Sequence, residues 1–585
     1  MKRFLCVFLC LILTLTCLAA GAESTAAPAA PTTHQLEKKT VPLYLENYGK
    51  VLDEVPLWLI DGVKDLPYME LGELTAFLNT YLGKVYDDGA ARYEGSYSAE
   101  SKIYTLSYKP TGAQALFLVE KGEIHVTDYE LLNAQEGAIV LDVLNATGFN
   151  PNTGKPELFQ RLNKYELVRP GDIKVLPLSE YGISYVEQDG KILLPMQTLL
   201  TLFVARLFGG FIAYNGQGLY LGDTQMFGEP GALTELGTQY YSAPRGDRSR
   251  QLAEYGLNEL CLELDCFYGL KATHNIKDFY SLIFNAGLME DLLSPNAQKA
   301  DQAVMNLINL YLDDLHSSYL LNSPLTGADT KLEASAGYSA AADANFATLY
   351  QTVEKGYFPA GRPAYQEIGD TAYVTFNSFL LGNGIDYYSL DLNDEESIQD
   401  TISLIMYAHH QITRQDSPIK NVVLDLSLNI GGQADAAVFV ISWFLGEAQV
   451  SVQSTFTGAQ GTNVYRADVN ADREFDEKDT VYLKNLYCLI SPESFSCGNL
   501  VPWVFHASGI VTLIGNTSGG GSCIVMPMCT AWGTIFQSSG PNRLAFIKNG
   551  SFYDIDLGVE PDVHLTRPNT YYDRDALTKI IHDLY

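Results

Sequence analysis

Residues 481–521 read VYLKNLYCLI SPESFSCGNL VPWVFHASGI VTLIGNTSGG G, and this stretch decides how the rest of the chain is read. It runs as an apolar strand, a tight turn of small residues, a helix, and a second apolar strand ending in glycines. Ser496 sits at the turn, with Ser494 two residues before it and Gly498 two residues after. Such a turn projects one hydroxyl into a cleft and leaves N–H groups at the helix start free for an oxyanion. The plainer alternative is an ordinary crossover whose serines only cap the helix.

The segments around this stretch repeat the pattern. An expected strand at 372–376 and helix at 398–412 precede the apolar run Val422-Val423-Leu424-Asp425-Leu426, which enters SLNIGG and a helix at 436–445. That βαβ order predicts a layered α/β core. Gly431 and Gly432, at a strand's C-terminal end, would let backbone N–H groups approach a ligand closely.

Between the two strands lies DVNADREFDEKD, residues 468–479. Asp468, Asn470, Asp472, Asp476 and Asp479 occupy positions 1, 3, 5, 9 and 12 of a calcium loop, with the Glu474 carbonyl at position 7. The expectation is a structural Ca2+; no cofactor is expected for catalysis. Arg473 stands where glycine is expected, and Asp479 where glutamate is. The plainer reading is an acidic surface loop that caps a helix or turn.

Residues 226–330 are helical in pattern, with Leu252, Leu257, Leu260 and Leu264 at helical spacing, and lead into YLDDLHSSYL with His316. An Ala- and Gly-rich region follows, to about Gly361. Residues 41–225 mix strands (103–108 and 115–119) with short helices, making an α+β region. Within it Leu194-Pro195-Met196 leads into an apolar helix as Leu66-Pro67-Tyr68-Met69 does. Two copies of one lobe and a chance likeness fit this equally well. Both copies resemble the small α+β domain found at the N-terminus of copper amine oxidases and on many bacterial wall enzymes. No histidine cluster marks copper, so the region reads as an accessory or substrate-positioning module.

Residues 1–22 form a secretion signal: Lys2 and Arg3, an apolar run, and Ala20-Gly21-Ala22 before the expected cleavage site. A lipid anchor on Cys17 is the rival reading, on a poor lipobox. An Ala/Pro/Thr-rich linker spans 23–40. A net charge of −31 argues against nucleic acid or an anionic membrane as partner. No later stretch is long and apolar enough to span a membrane. The chain is therefore expected to be secreted, released or loosely associated with the cell wall. Six cysteines outside the signal form no disulfide framework, and none has paired spacing for zinc. Cys497, beside Ser496, is a rival nucleophile in principle.

NVVLDLSLNIGG, SFSCGN, VTLIGNTSGGG and DIDLGVEPDV occur in an order and spacing that resemble the C-terminal processing peptidases, the tail-specific protease family. LDDLHSSYL resembles that family's Asp-x-His-Ser/Thr segment. The resemblance covers 240–320 and 365–585. It implies a crotonase/ClpP-like layered β-β-α core at 331–585, and a serine peptidase of the S41 type acting on peptide or protein. Two departures stand out. Gly521 lies where the family's lysine base is expected, and Ser427 where an arginine is. The sequence is then similar to the tricorn-like, lysine-lacking branch, which uses histidine and glutamate. That likeness implies Ser496 as nucleophile, His316 as base and Glu560 as carboxylate, with Asp562 the rival. Gly431 or Gly432 and the Cys497 N–H would form the oxyanion hole.

The side-chain chemistry agrees, because a serine needs a base near pH 7 and histidine has that ordinary pKa. His506 lies in the same helix as Ser496, roughly 15 Å along its axis, and cannot reach it. Ser417-Pro418-Ile419-Lys420 imitates a Ser-x-x-Lys element, but Pro418 spoils the helical turn that motif needs. The expected activity is an exported serine endopeptidase working through an acyl-enzyme. The alternatives are an inactive peptide- or ligand-binding protein on the same fold, and an esterase.

Overall fold

The computed structural model describes residues 33–584 apart from 47, 86–87, 134–143, 145–157, 163–165, 230 and 549–550. The signal segment and residues 23–32 of the expected linker lie outside the described residues.

The site rests on a six-stranded sheet. Its order is Tyr365–Ile368, Thr371–Thr375, Asn421–Asp425, Asn485–Ile490, Val511–Gly515, Val563–His564, parallel throughout except for the first pair. The central strands are apolar on both faces, as a sheet covered on both sides requires. Val422 and Leu424 face a core shared with helices Thr401–Thr413, Ala434–Leu445 and Cys497–Ser508. Val423 faces a second core with Tyr350, Tyr571 and Leu577 from helices on the other side. The first core also holds Val450, Val452 and Tyr465 of a second sheet, so two sheets and the three helices share one interior. The fold is α/β, as the βαβ order predicts.

The second sheet crosses the expected domain boundaries. Strand Gln460–Ala467 pairs with Phe159–Arg161 and Glu166–Arg169 from the region read as accessory. Strand Ser318–Leu321, from the helical segment, pairs with Ile535–Ala545. Residues placed in three units by composition thus complete one sheet, because strand pairing is set by register and not by sequence distance.

The N-terminal region differs from two lobes. The two similar segments pair with each other: Tyr68–Glu70 lies antiparallel to Lys191–Pro195, with Leu194 opposite Met69. Both belong to one seven-stranded sheet. The linker also ends earlier than expected, since strand Leu36–Leu45 begins within it and pairs along Gly49–Ile60. Glu37, Lys38 and Lys39 hide the alternation there, and burial begins only at Val41. Finally, the Ala-rich segment forms the long helix Tyr338–Tyr357, in line with alanine's high helix propensity.

Candidate active site

Ser496 stands between strand Asn485–Ile490 and helix Cys497–Ser508 with φ 55° and ψ −121°. An L-residue avoids that region, and holding one there costs on the order of 1–3 kcal/mol. The surrounding hydrogen bonds fix it. Ser496 N–H donates to the Gly520 carbonyl (2.9 Å), and Phe495 N–H to that of Asn429 (3.0 Å). Ser494 Oγ donates to the Leu426 carbonyl and Ser491 Oγ to that of Ser427, at 2.7 and 2.6 Å. These small residues therefore staple the turn to the SLNIGG loop. Ser496 itself makes no side-chain cap, so the plain capping reading fails for this serine.

Two glycines let the loop close on the serine. A Cβ on Gly431 would lie 2.6 Å from Ser496 Cβ, and one on Gly432 would lie 2.3 Å from the Phe379 carbonyl oxygen. The Gly431 N–H donates to Asn429 Oδ1 at 2.9 Å. It is therefore not a free oxyanion donor, and of the expected pair Gly432 is the one left. Among the described residues the Gly432 and Cys497 N–H groups donate no backbone hydrogen bond. Cys497 is not a rival nucleophile. Burial, with the Asp435 charge added, pushes its thiol up to about 12, far from a thiolate at neutral pH.

His316 is 6% exposed, and its Nε2 is buried without a hydrogen-bond partner. Its ring packs on that of Phe495, with centroids 4.6 Å apart. Burial lowers its pKa below 6.5, against the opposing charges of Asp314 and Asp556. Among the described residues no hydrogen bond joins His316 to Ser496 Oγ. The two are brought to one turn, through the neighbour of the serine, without the direct contact the triad reading expects.

The carboxylate is placed differently from expectation. Glu560 is exposed and accepts a hydrogen bond from Thr517 Oγ1 at 2.8 Å. Its rival Asp562 accepts the Leu513 N–H at 2.8 Å and lies 3.9 Å from His506. Neither touches His316. The carboxylates whose charges act on His316 are Asp314, in its own loop, and Asp556. Asp556 is fixed by the Ser522 N–H and Oγ, both at 3.0 Å. Its backbone abuts the glycine run, since a Cβ on Gly520 would lie 1.9 Å from its carbonyl oxygen. The sequence signal for Asp556 was available in DIDLGVEPD, where it stands before the glycine; the more prominent Glu560 hid it.

Glu493 is a further residue the sequence reading missed. It is 4% exposed in the turn before Ser496, with Oε1 unpartnered. Burial, then the charge of Asp343 on helix Tyr338–Tyr357, push its carboxyl up to about 7.

In the acidic loop the side chains bond the loop's own backbone. Asp468 Oδ2 accepts the Arg473 N–H and the Tyr388 hydroxyl, both at 2.9 Å. Asn470 Oδ1 accepts the Asp472 N–H, and Asp472 Oδ1 the Glu474 N–H. Asp479 accepts the N–H groups of Val469, Asn470 and Asp476. Lys478 Nζ lies 3.0 Å from Asp476 and 3.7 Å from both Asp472 and Glu474. Among the described residues no three His, Cys, Asp or Glu side chains are arranged to hold a metal ion. The loop's side-chain oxygens thus accept from its own amides, with the Lys478 ammonium among three of its carboxylates and Asp468 Oδ1 buried without a partner.

An α/β protein built around a strained, uncapped serine turn is the class that this fold and site define. Residues 370–565 match the model of peptidase family S41. The chain is 36% identical over 95 residues to the Chlamydia pneumoniae protein CPj1016/CpB1054, a match spanning 14% of each chain. Among solved structures it is similar to the photosystem II D1 C-terminal processing protease, at 19% identity over 36% of this chain and 46% of that one, with a TM-score of 0.26. It is also similar to mature CPAF in complex with lactacystin (11% identity, 57% and 97% of the two chains, TM-score 0.36). A lipoprotein from Streptococcus agalactiae matches at 14% identity over 56% and 96%, with a TM-score of 0.33.

Proposed function

We propose that the chain is an exported serine endopeptidase. Ser496 attacks a peptide carbonyl, His316 takes the proton and returns it to the leaving amine, and water hydrolyses the acyl-enzyme. The observation that carries this reading is the conjunction at one turn: a serine held at φ 55° with no capping role, one residue from the ring that packs on a buried histidine with an unpartnered nitrogen. A histidine held below 6.5 is neutral at pH 7, the form that accepts a proton. For the expected triad bond to form, a side-chain torsion of Ser496 or His316 must turn on substrate binding, since catalytic hydrogen bonds often tighten only in the bound complex. The Gly432 and Cys497 N–H groups are the oxyanion donors, and Asp556 replaces Glu560 as the carboxylate that stabilises the imidazolium.

A serine-directed fluorophosphonate tests the reading. Labelling of the wild type, lost in Ser496→Ala and reduced in His316→Ala, supports it. Folded wild type that takes no label would instead favour a peptide-binding protein on the same fold. Parallel peptide and ester substrates separate a peptidase from an esterase. The N-terminal signal pattern supports export with cleavage after Ala22, which N-terminal sequencing of the secreted protein checks.

A further inference from the structure

The loop that presents Gly432 is built from residues 426–432, and one guanidinium holds both of its walls. Asp425, fully buried at the end of the central strand, carries a charge that burial alone would oppose. The charges of Arg362 and Arg574 outweigh burial and bring its carboxyl down to about 2. The two arginines are not equivalent. Arg574 Nη2 donates to Asp425 Oδ2 (2.8 Å) and Thr375 Oγ1 (3.3 Å), both on the strands behind the loop. Arg362 Nη1 donates to the same Asp425 oxygen (2.8 Å) and also to Ser427 Oγ (3.2 Å), while its Nη2 donates to Asn377 Oδ1 (2.8 Å). Its Nε lies 2.9 Å from Glu354 on helix Tyr338–Tyr357, an ion pair without hydrogen-bond geometry. Its side chain is 3% exposed.

Both residues that Arg362 grips beyond Asp425 lead to the serine. The Ser427 carbonyl accepts Ser491 Oγ of the nucleophile turn. The Asn377 carbonyl accepts the Ile430 N–H at 3.1 Å. Ile430 is followed by Gly431, whose backbone abuts Ser496 Cβ. One planar fork therefore sets the spacing between the loop and the nucleophile turn, a task that suits five donors in fixed geometry.

We infer that Arg362 is a positioning residue for acyl transfer, supplying to the SLNIGG loop from 65 residues upstream the guanidinium that Ser427 lacks. The inference rests on the peptidase reading. A loop displaced by a fraction of an ångström misplaces the Gly432 N–H relative to the developing oxyanion, and loss of one such donor costs on the order of 10²-fold in rate.

The test compares fluorophosphonate labelling rate, peptide kcat and KM, and Tm for the wild type, Arg362→Ala, Arg362→Lys and Arg574→Ala, using the full chain. Arg362→Ala is expected to lower the labelling rate and kcat by on the order of 10²-fold with KM little changed, and free guanidinium ion, well below unfolding concentrations, to restore part of the rate. Arg362→Lys keeps the charge but not the fork; it is expected to stay folded and to remain slow, which keeps the test decisive if the alanine variant does not fold. Arg574→Ala is expected to lower Tm with a much smaller loss of rate. If the wild type labels and Arg362→Lys labels as fast, or if the Arg362 and Arg574 variants lose rate only in step with Tm and guanidinium restores nothing, Arg362 is merely structural. If the wild type takes no label, the peptidase reading falls and this inference falls with it.

Discussion

The imidazole of His316 and the phenyl ring of Phe495 pack 4.6 Å apart between centroids, with an interplanar angle of 51°, and Phe495 immediately precedes Ser496. This contact ties a loop from outside the six-stranded sheet to the nucleophile turn. It also explains the burial of the histidine, and hence its lowered pKa.

The pH profile of labelling follows from that burial. A histidine base works only when neutral, so the rate should rise with pH through a value below 6.5 and then stay flat. Phe495→Ala uncovers the ring and should move the acid limb up towards 6.5. A limb already above 6.5 in the wild type would count against His316 as the base.

The Gly521 position disfavours a side chain. A Cβ on Gly521 would lie 2.5 Å from the Phe495 ring, and φ there is 85°. Gly521→Lys therefore should not create a Ser–Lys dyad. Its left-handed backbone alone costs about 1–2 kcal/mol, and the double variant with His316→Ala should label no faster than His316→Ala. Recovery of labelling in that double variant would show that the lysine position is still usable.

Asp556 and Glu560 make opposite predictions. Asp556 acts on His316 through its charge, whereas Glu560 is exposed and bonded to Thr517. Asp556→Asn should lower kcat by on the order of 10²-fold or more, while Glu560→Gln should leave it within about twofold, as for a surface substitution. The reverse ranking in steady-state kinetics would return the carboxylate role to Glu560.

Much of this was legible in the sequence where periodicity and spacing speak for themselves. The apolar strands around Val422 and Leu486, the helix after Ser496 and the close approach of Gly431 and Gly432 all follow from local pattern. What escaped was set by contacts between distant segments. Strands Phe159–Arg161 and Ser318–Leu321 complete a sheet of the core that no local signal announces. Tyr68–Glu70 and Lys191–Pro195 look like repeats but serve as pairing partners. Asp556 and Arg362 owe their roles to what faces them in space, and a single sequence does not carry that.

The acidic loop is held together by its own contacts. Its carboxylates cap its own amides, and Lys478 lies among Asp472, Glu474 and Asp476. A chelator should leave Tm unchanged and Lys478→Ala should lower it slightly, as expected for an exposed ion-pair network. A chelator-induced fall in Tm, reversed by calcium, would restore the metal assignment.

Glu493 should govern how stability depends on pH near neutrality. Its carboxyl has an ordinary value of 4.5 and is pushed up to about 7 in the folded chain, first by burial and then by Asp343. The folded state then holds a proton that the unfolded chain releases, so this contribution is complete below 4.5 and is lost as pH rises through 7. Above that, a charge sits buried with Oε1 unpartnered. Glu493→Gln keeps the shape and removes the titration. The variant should gain stability relative to wild type as pH rises from 5 to 8, by up to about 2–3 kcal/mol. Thermal melts of both proteins at the two pH values measure this directly. A constant Tm difference would mean that Glu493 stays ionised throughout, with a cation or solvent partner in the turn. A difference that widens would show a second titrating group, besides His316, in the Ser496 turn.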